Sequence, residues 1–172
     1  MGIRPSASET LKIVRAEPHD TPLILQFVRK LAEFERLSDQ VIVNEDTLRE
    51  GLFGAGSAAE AILAYFGSAP AAFAVYFHTF STFSGYTGIY LEDLFVEPNY
   101  RGRGVGKSIL VYLAKLAKQR GRGRLSWAVL DWNEPAIRFY RNLGAVPLGD
   151  WTVFELTGPA LDRLAQAEVG IA

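Results

Sequence analysis

The chain of 172 residues carries 18 lysine and arginine residues against 19 aspartate and glutamate residues, so its formal net charge is −1. This balance excludes a general basic field for nucleic acid or an anionic membrane, and any anion site must be local. Cysteine is absent, which excludes a disulfide framework, a thiolate nucleophile and a cysteine-based zinc site. The N-terminus has no apolar signal core, and the longest apolar-rich run, residues 69–77, is too short to cross a bilayer. We therefore expect a cytoplasmic protein without membrane or nucleic-acid partners.

The length of 172 residues predicts one domain, of α/β class, over residues 1–172, with about the first ten residues as a flexible N-terminus. Leu23, Phe27, Leu31 and Phe34 recur at helical spacing, whereas apolar runs separated by turn residues indicate hairpins of an antiparallel sheet. The predicted elements are a strand at 11–17, helices at about 21–37 and 45–53, strands at 59–66, 69–80 and 88–98, a helix at 104–121, a strand at 124–131, a helix at 133–144, short strands near 145–149 and 151–156, and a small terminal helix. This order predicts a mixed, mostly antiparallel central sheet flanked by helices.

The stretch YRGRGVGKS at residues 100–108 joins a predicted strand to a predicted helix. Its ending is typical of a nucleotide-binding P-loop, but that motif requires glycine where this chain has Arg101. The dinucleotide fingerprint fails in the same way, because Lys107 stands at its last glycine position. Glycines at a helix N-terminus let backbone N–H groups approach an anion closely, which predicts an anion cradle. The alternative is a glycine-rich surface turn with solvated basic residues.

The spacing Arg-x-x-Gly-x-Gly from Arg101 to Gly106 resembles the diphosphate-binding motif of the GNAT N-acetyltransferases, in which this loop holds acetyl coenzyme A (acetyl-CoA). Two blocks, YLEDLFVEPNYRGRG at 90–104 and DWNEPAIRFYRNLGA at 131–145, are similar to the same family, most of all to its spermidine/spermine and thialysine acetyltransferases. The resemblance implies a GNAT fold, acetyl-CoA as donor co-substrate and no metal. It assigns donor contacts to the strand end, the loop and the later helix, at Leu94, Phe95, Val96, Arg101, Gly102, Arg103, Gly104, Val105, Gly106, Lys107, Asn133, Ala136 and Tyr140.

Acetyl transfer from a thioester to an amine requires an acceptor for the amine proton, a stabilised oxyanion and a proton for the departing thiolate. The resemblance implies that Glu92 is the base, acting directly or through water, and that Tyr140 is the general acid beside the coenzyme sulfur. Alternation along a strand predicts that at most one of Glu92 and Asp93 faces the cleft directly. Two alternatives stay open: Glu92 in a structural ion-pair network, and Tyr140 as a core residue on a helix face shared with Ile137 and Leu143.

Fewer sequence features point to the acceptor side, where the amine binds. The resemblance places Phe34, Glu35 and Glu92 there, and Trp127 can add an apolar wall. Without cysteine an acetyl-cysteine intermediate is impossible, so we expect direct attack by the amine in a ternary complex. The turn at 81–87 has no acidic residue, in contrast to polyamine-specific relatives. A smaller primary amine such as lysine or thialysine is therefore at least as well supported as spermidine or spermine.

Several other expectations complete the functional prediction. His19 and His78 have no partner at metal-ligand spacing, so no metal is predicted. A homodimer is expected from the resemblance alone. The competing functions are acetylation of a protein N-terminus or lysine, a non-catalytic coenzyme-A-binding module and, disfavoured by Arg101, a nucleotide hydrolase.

Overall fold

Five strands form a single sheet in the computed structural model, which describes residues 10–121 and 123–167. The strands are β1 (Leu11–Arg15), β2 (Ala59–Phe66), β3 (Ala69–Phe80), β4 (Thr87–Val96) and β5 (Arg124–Trp127). The helices are α1 (Thr21–Glu35), α2 (Glu45–Phe53), α3 (Val105–Gln119), α4 (Glu134–Asn142) and α5 (Gly158–Ala165). Among these described helices, none has both the length and the apolar character that a bilayer crossing requires.

The sheet has the mixed character that the sequence predicts. Its strands follow one another in the order β1-β2-β3-β4-β5, and the first four are antiparallel. The exception is β5, which runs parallel to β4 because α3 carries the chain back between them. Gly67, in the two-residue turn between β2 and β3, has a φ of 59°, a conformation that hairpin turns need and that glycine adopts without strain.

Both faces of the sheet are covered by helices. On one face, Phe27 of α1 stacks on Phe73 of β3 with ring centroids 5.3 Å apart, and Phe95 of β4 lies 6.1 Å from Phe27. Because side chains alternate along a strand, the other face of β3 presents the small residues Ala72 and Ala74. There α3 packs against β3 and β4 and buries its apolar side. The two cores fix α1 and the start of α3 on a common scaffold.

The described residues divide into two compact units, one up to Leu130 and one from Asp131 onward. The first unit holds the whole sheet with α1, α2 and α3, and the second holds α4 and α5. The single domain expected over the full chain stays a prediction.

The strands predicted near 145–149 and 151–156 are absent, and that prediction is wrong. Residues 145–156 form no strand in the structure. Alternating apolar residues such as Val153 suggested a half-buried strand, but Val153 and Phe154 are exposed. A strand is stable only where its backbone groups pair with a neighbour, and no described strand pairs with this segment. The strand predicted at 124–131 is also shorter and ends at Trp127.

A charge network lies on the α3 side of the sheet around Glu60 of β2. Its carboxylate accepts hydrogen bonds from the guanidinium of Arg120, and Arg15 lies 2.9 Å and His78 3.1 Å from its oxygens. The Tyr76 hydroxyl donates to it at 3.3 Å. The Arg120 hydrogen bonds lower the pKa of Glu60, with further lowering by the charges of Arg120, Arg15 and His78, although burial acts in the opposite direction.

We expect Glu60→Gln to lower the free energy of unfolding by about 1–3 kcal/mol at neutral pH, because it removes a half-buried charged acceptor. A carboxylate whose pKa is lowered by folding stabilises the fold above its ordinary pKa of 4.5, and that stability is lost as the pH falls through its folded value. The difference between the variants should therefore shrink in acid. Urea unfolding at neutral and acid pH measures it, with Glu33→Gln on exposed α1 surface as control. An equal difference at both pH values would contradict the assignment.

Candidate active site

The segment between β4 and α3 is a glycine-containing loop that leads into a helix, the arrangement that the predicted anion cradle requires. A short 3₁₀ turn at Pro98–Tyr100 leads into a loop, and α3 begins at Val105. Gly102 and Gly104 have φ angles of 70° and 82°, which non-glycine residues adopt only with strain. Because the residue before the helix is Gly104, no side chain caps its first N–H groups. These N–H groups and the positive end of the helix dipole fit an anionic group such as a diphosphate.

The two arginines of the loop rest on aromatic rings. The Nε of Arg101 donates to the Val96 carbonyl at 2.9 Å, and its guanidinium carbon lies 4.7 Å from the Phe34 ring centroid and 5.4 Å from that of Phe95. Arg101 therefore lies on the α1 face of the sheet, in contact with a residue assigned to the acceptor side.

Arg103 lies on a second aromatic group. Its guanidinium carbon is 4.9 Å from the Phe66 centroid and 5.6 Å from that of Tyr100, and these two rings stack 5.2 Å apart. Phe66 ends β2, so the stack connects the β2–β3 hairpin to the loop. Sequence reasoning missed this group, because Phe66 and Tyr100 are far apart in the chain and have no shared motif.

A β-bulge lies at Glu92. Asp93 pairs with Val75 and Leu91 pairs with Tyr76, so Glu92 is an extra residue in β4 with no opposite residue in β3. The alternation of faces therefore shifts at this point. The sequence prediction that at most one of Glu92 and Asp93 faces the cleft assumed a regular strand, and that assumption is wrong here. Glu92 is exposed, whereas Asp93 is partly buried on the side of the α1 core.

The bulge also marks the place where β4 and β5 separate. Their pairing runs from Gly88 with Arg124 to Leu91 with Trp127, and within the described chain no β5 residue pairs with residues 92–96. Leu94, Phe95 and Val96 thus keep ladder contacts with β3 on one side only. An extended ligand chain that offers amide groups can occupy the open side, as an added strand would. Trp127 stands at the start of this opening.

Three carboxylates interact near the bulge. Burial raises the pKa of Asp93 from its ordinary value of 3.8 to about 6, and the negative charges of Glu92 and Glu35 contribute further. Burial also raises the pKa of Glu35, at the end of α1. Glu35 and Glu92, both assigned to the acceptor side, are therefore close enough to Asp93 to raise its pKa. The sequence prediction gives Asp93 no site role beyond its place beside Glu92, and its interaction with Glu35 of α1 depends on how the chain folds.

The raised pKa of Asp93 predicts that the free energy of unfolding decreases as the pH rises. The folded state binds the Asp93 proton more tightly than the unfolded chain does. The stability that this proton contributes is therefore complete below pH 3.8 and is lost as the pH rises through about 6. We expect Asp93→Asn to remove this dependence and to raise the free energy of unfolding at neutral pH by about 1–3 kcal/mol. Urea unfolding over a pH series measures the change, with the exposed Asp150→Asn as control. Destabilisation at neutral pH would contradict the prediction.

The second unit contains the remaining predicted residues. Asn133 precedes α4 and its side-chain oxygen accepts a hydrogen bond from the Ala136 N–H at 3.3 Å. This cap confirms the helix start that the sequence predicts. Tyr140 is partly buried on α4, and its ring lies 5.3 Å from that of Phe139. The assignment of Asn133, Ala136 and Tyr140 to the same site as the loop stays a prediction.

Possible metal ligands give no competing site. In residues 10–121 and 123–167, no group of three or more histidine or acidic side chains is arranged to hold a metal ion. Asp93 pairs with Val75, which belongs to the buried cluster that also holds Phe73 and Phe95.

Comparisons with known proteins identify the family and the fold. The Acetyltransferase (GNAT) family profile matches residues 26–145. Thialysine N-epsilon-acetyltransferase of Bos taurus is 38% identical over 89% of this chain and 96% of that protein. L-ornithine N5-acetyltransferase of Arabidopsis thaliana is 28% identical over 92% of this chain and 89% of that protein. An integron cassette protein from the mobile metagenome of V. cholerae has the same fold, with a TM-score of 0.78 and 25% identity over 91% of this chain and 98% of that one. The chain therefore belongs to the GNAT family and is an acetyltransferase.

Proposed function

We propose that this enzyme transfers the acetyl group of acetyl-CoA to a primary amine of a small lysine-like, thialysine-like or polyamine-like acceptor. The observation that carries the proposal is the open side of β4, which begins at the acidic bulge and leads directly into the glycine cradle of α3. One edge thus runs from carboxylates suited to an amine to a helix N-terminus suited to a diphosphate. The similarity to a thialysine acetyltransferase over nearly the whole chain supports the same assignment.

The donor is proposed to lie along this edge. The backbone of Leu94, Phe95 and Val96 pairs with the pantetheine arm. The loop and first turn hold the diphosphate through Arg101, Gly102, Arg103, Gly104, Val105, Gly106 and Lys107. Asn133, which caps α4, and Ala136 and Tyr140 of that helix complete the donor contacts, as the family resemblance implies.

The proposed reaction proceeds by direct attack in a ternary complex. An alkylamine with a pKa of about 10.4 is protonated at neutral pH, so a carboxylate at the bulge must first accept a proton. Glu92 takes this role, directly or through water. The amine nitrogen then attacks the thioester carbonyl carbon, a backbone N–H of β4 stabilises the oxyanion, and the C–S bond breaks. Tyr140 donates its hydroxyl proton to the departing thiolate. The attacking nitrogen loses its remaining extra proton as the amide forms, and this proton returns through water to Tyr140, while Glu92 releases its proton to solvent.

The acceptor is proposed to be bound by the carboxylates of Glu35, Glu92 and Asp93, with Phe34 and Trp127 as apolar walls. Attraction between three carboxylates and an ammonium group favours a cationic amine. The turn between β3 and β4 carries no acid to bind a second distant ammonium group. A short diamine-like amino acid is therefore the preferred acceptor class, in agreement with the named activities of the thialysine and ornithine relatives.

A panel of amines with acetyl-CoA and detection of free thiol tests the proposal. Lysine, thialysine and ornithine should be acetylated with higher kcat/KM than spermidine or spermine. Acetyl-CoA should also raise the melting temperature, since a ligand that binds only the folded state stabilises it. Binding without turnover over the whole panel would favour a non-catalytic coenzyme-A module, and turnover only with peptides would favour a protein acceptor. Stabilisation by ATP and magnesium but not by coenzyme A would contradict the proposal.

We also propose that the enzyme acts as a cytoplasmic homodimer. This follows from the family resemblance, and the exposed apolar residues Val153 and Phe154 are compatible with a surface that a second copy covers. Sedimentation equilibrium measures the assembly directly, and a monomer at micromolar concentration would contradict it.

A further inference from the structure

Arg101 is held by three groups that come from two elements. Its Nε donates to the Val96 carbonyl, at the end of β4, and its guanidinium lies over the Phe95 ring of the same strand. The nearer ring is Phe34, which belongs to the last turn of α1. Phe95 is buried, whereas Phe34 is 39% exposed and can be replaced without opening the core. The contact between Phe34 and Arg101 thus joins α1 to the first residue of the glycine loop.

This arrangement leaves Arg101 prepared for an anion. A guanidinium carries five N–H donors, and the Nε–H is the one that Val96 accepts. The other four lie on the two terminal nitrogens, in the planar fork that matches phosphate oxygens. A ring that contacts the flat face of the fork restricts its rotation but leaves its edge accessible. An arginine ordered in advance loses less conformational entropy when it binds a ligand.

We infer that Phe34 is a positioning residue for Arg101, so that a side chain assigned to the acceptor side also sets the affinity for the diphosphate of the donor. The inference rests on the proposed function. Phe34 lies next to Glu35, which interacts with Asp93 at the bulge. The last turn of α1 therefore interacts with Asp93 through Glu35 and with Arg101 through Phe34.

Two donors that differ in the diphosphate provide the test. Acetyl-CoA carries it, whereas acetyl-pantetheine has the same thioester arm and lacks it. We expect Phe34→Ala to lower kcat/KM for acetyl-CoA about 3- to 10-fold more than kcat/KM for acetyl-pantetheine, because any loss on the acceptor side is common to both donors and only the first donor uses Arg101. Phe34→Tyr keeps the ring and should retain wild-type selectivity between the donors. In the background of Arg101→Ala, Phe34→Ala should leave the ratio of kcat/KM between the two donors unchanged.

The outcomes separate the possibilities. An equal loss with both donors would overturn the inference, because Phe34 would then act on the acceptor, the thioester arm or the fold alone. No loss with either donor would overturn it as well. If Phe34→Ala does not fold, Phe34→Leu keeps the apolar bulk without the ring face and is read in the same way. Calorimetric titration with coenzyme A separates the inference from the proposed function. If the wild-type protein binds coenzyme A and the Phe34 variants bind it with the same Kd, the inference alone is rejected. If the wild-type protein does not bind coenzyme A, both are rejected.

Discussion

Replacing Tyr140 by phenylalanine is expected to lower kcat by about 10²- to 10⁴-fold, the range typical for loss of a positioned general acid. The substitution removes one hydroxyl and keeps the ring that lies against Phe139 on α4. The helix and its Asn133 cap should therefore remain intact. Because the thiolate then leaves without a proton donor, the loss should appear in kcat, and the Kd of coenzyme A should change little. Thiol release at saturating donor and amine measures it.

Tyr65→Phe on β2 is the matched control for this experiment, since it removes a tyrosine hydroxyl outside the proposed site. Its kcat should equal that of the wild type. If Tyr140→Phe retains wild-type turnover across neutral and alkaline pH, Tyr140 has no acid role. Its ring would then be the core residue that helix periodicity alone favours.

Replacing Phe73 by alanine is expected to cost about 3–5 kcal/mol in the free energy of unfolding. Phe73 is fully buried in the middle of β3 and stacks on Phe27 of α1. Its removal takes away apolar burial and leaves a cavity between the sheet and α1, where neighbouring strands prevent collapse. Equilibrium unfolding in urea, monitored by far-ultraviolet circular dichroism, measures the change.

Phe83→Ala provides the same chemical change at an exposed site. Phe83 lies in the turn between β3 and β4 and is 96% exposed, so its removal should shift stability by no more than about 0.5 kcal/mol. A loss below about 1 kcal/mol for Phe73→Ala would mean that the α1 core repacks around the vacancy. The stacking of Phe27 and Phe73 would then not be a main support of the sheet.

Local sequence patterns predicted most elements of the first unit because the forces that form them act over a few residues. Strands β2 and β3 and helix α2 have the predicted bounds, since each is an apolar run or a helical face between clear turn residues. The segment 151–156 has the same local alternation and forms no strand. Whether an alternating run becomes a strand depends on a neighbour with free backbone groups, which local periodicity does not contain.

The candidate site shows the same limit. The glycine loop and its helix start are predicted because they are local properties of the sequence, and the structure adds the left-handed backbone of Gly102 and Gly104. The position of Arg101 against Phe34 was not predicted, because it depends on how α1 crosses the sheet. The bulge at Glu92 was missed for a related reason: one extra residue is defined only by comparison with the partner strand.

The separation of β4 and β5 has a consequence for solubility. Unpaired strand edges offer backbone groups to extended segments of other molecules, which is a common route to aggregation. Here such an edge lies within the sheet, beyond Leu91, and it opens at a bulge that carries Glu92 and Asp93. Bulges and charges at edges are the features by which natural sheets discourage pairing between molecules. The acidic bulge therefore discourages pairing between copies of the chain, and we expect a chain that lost both charges to self-associate more readily through this open edge.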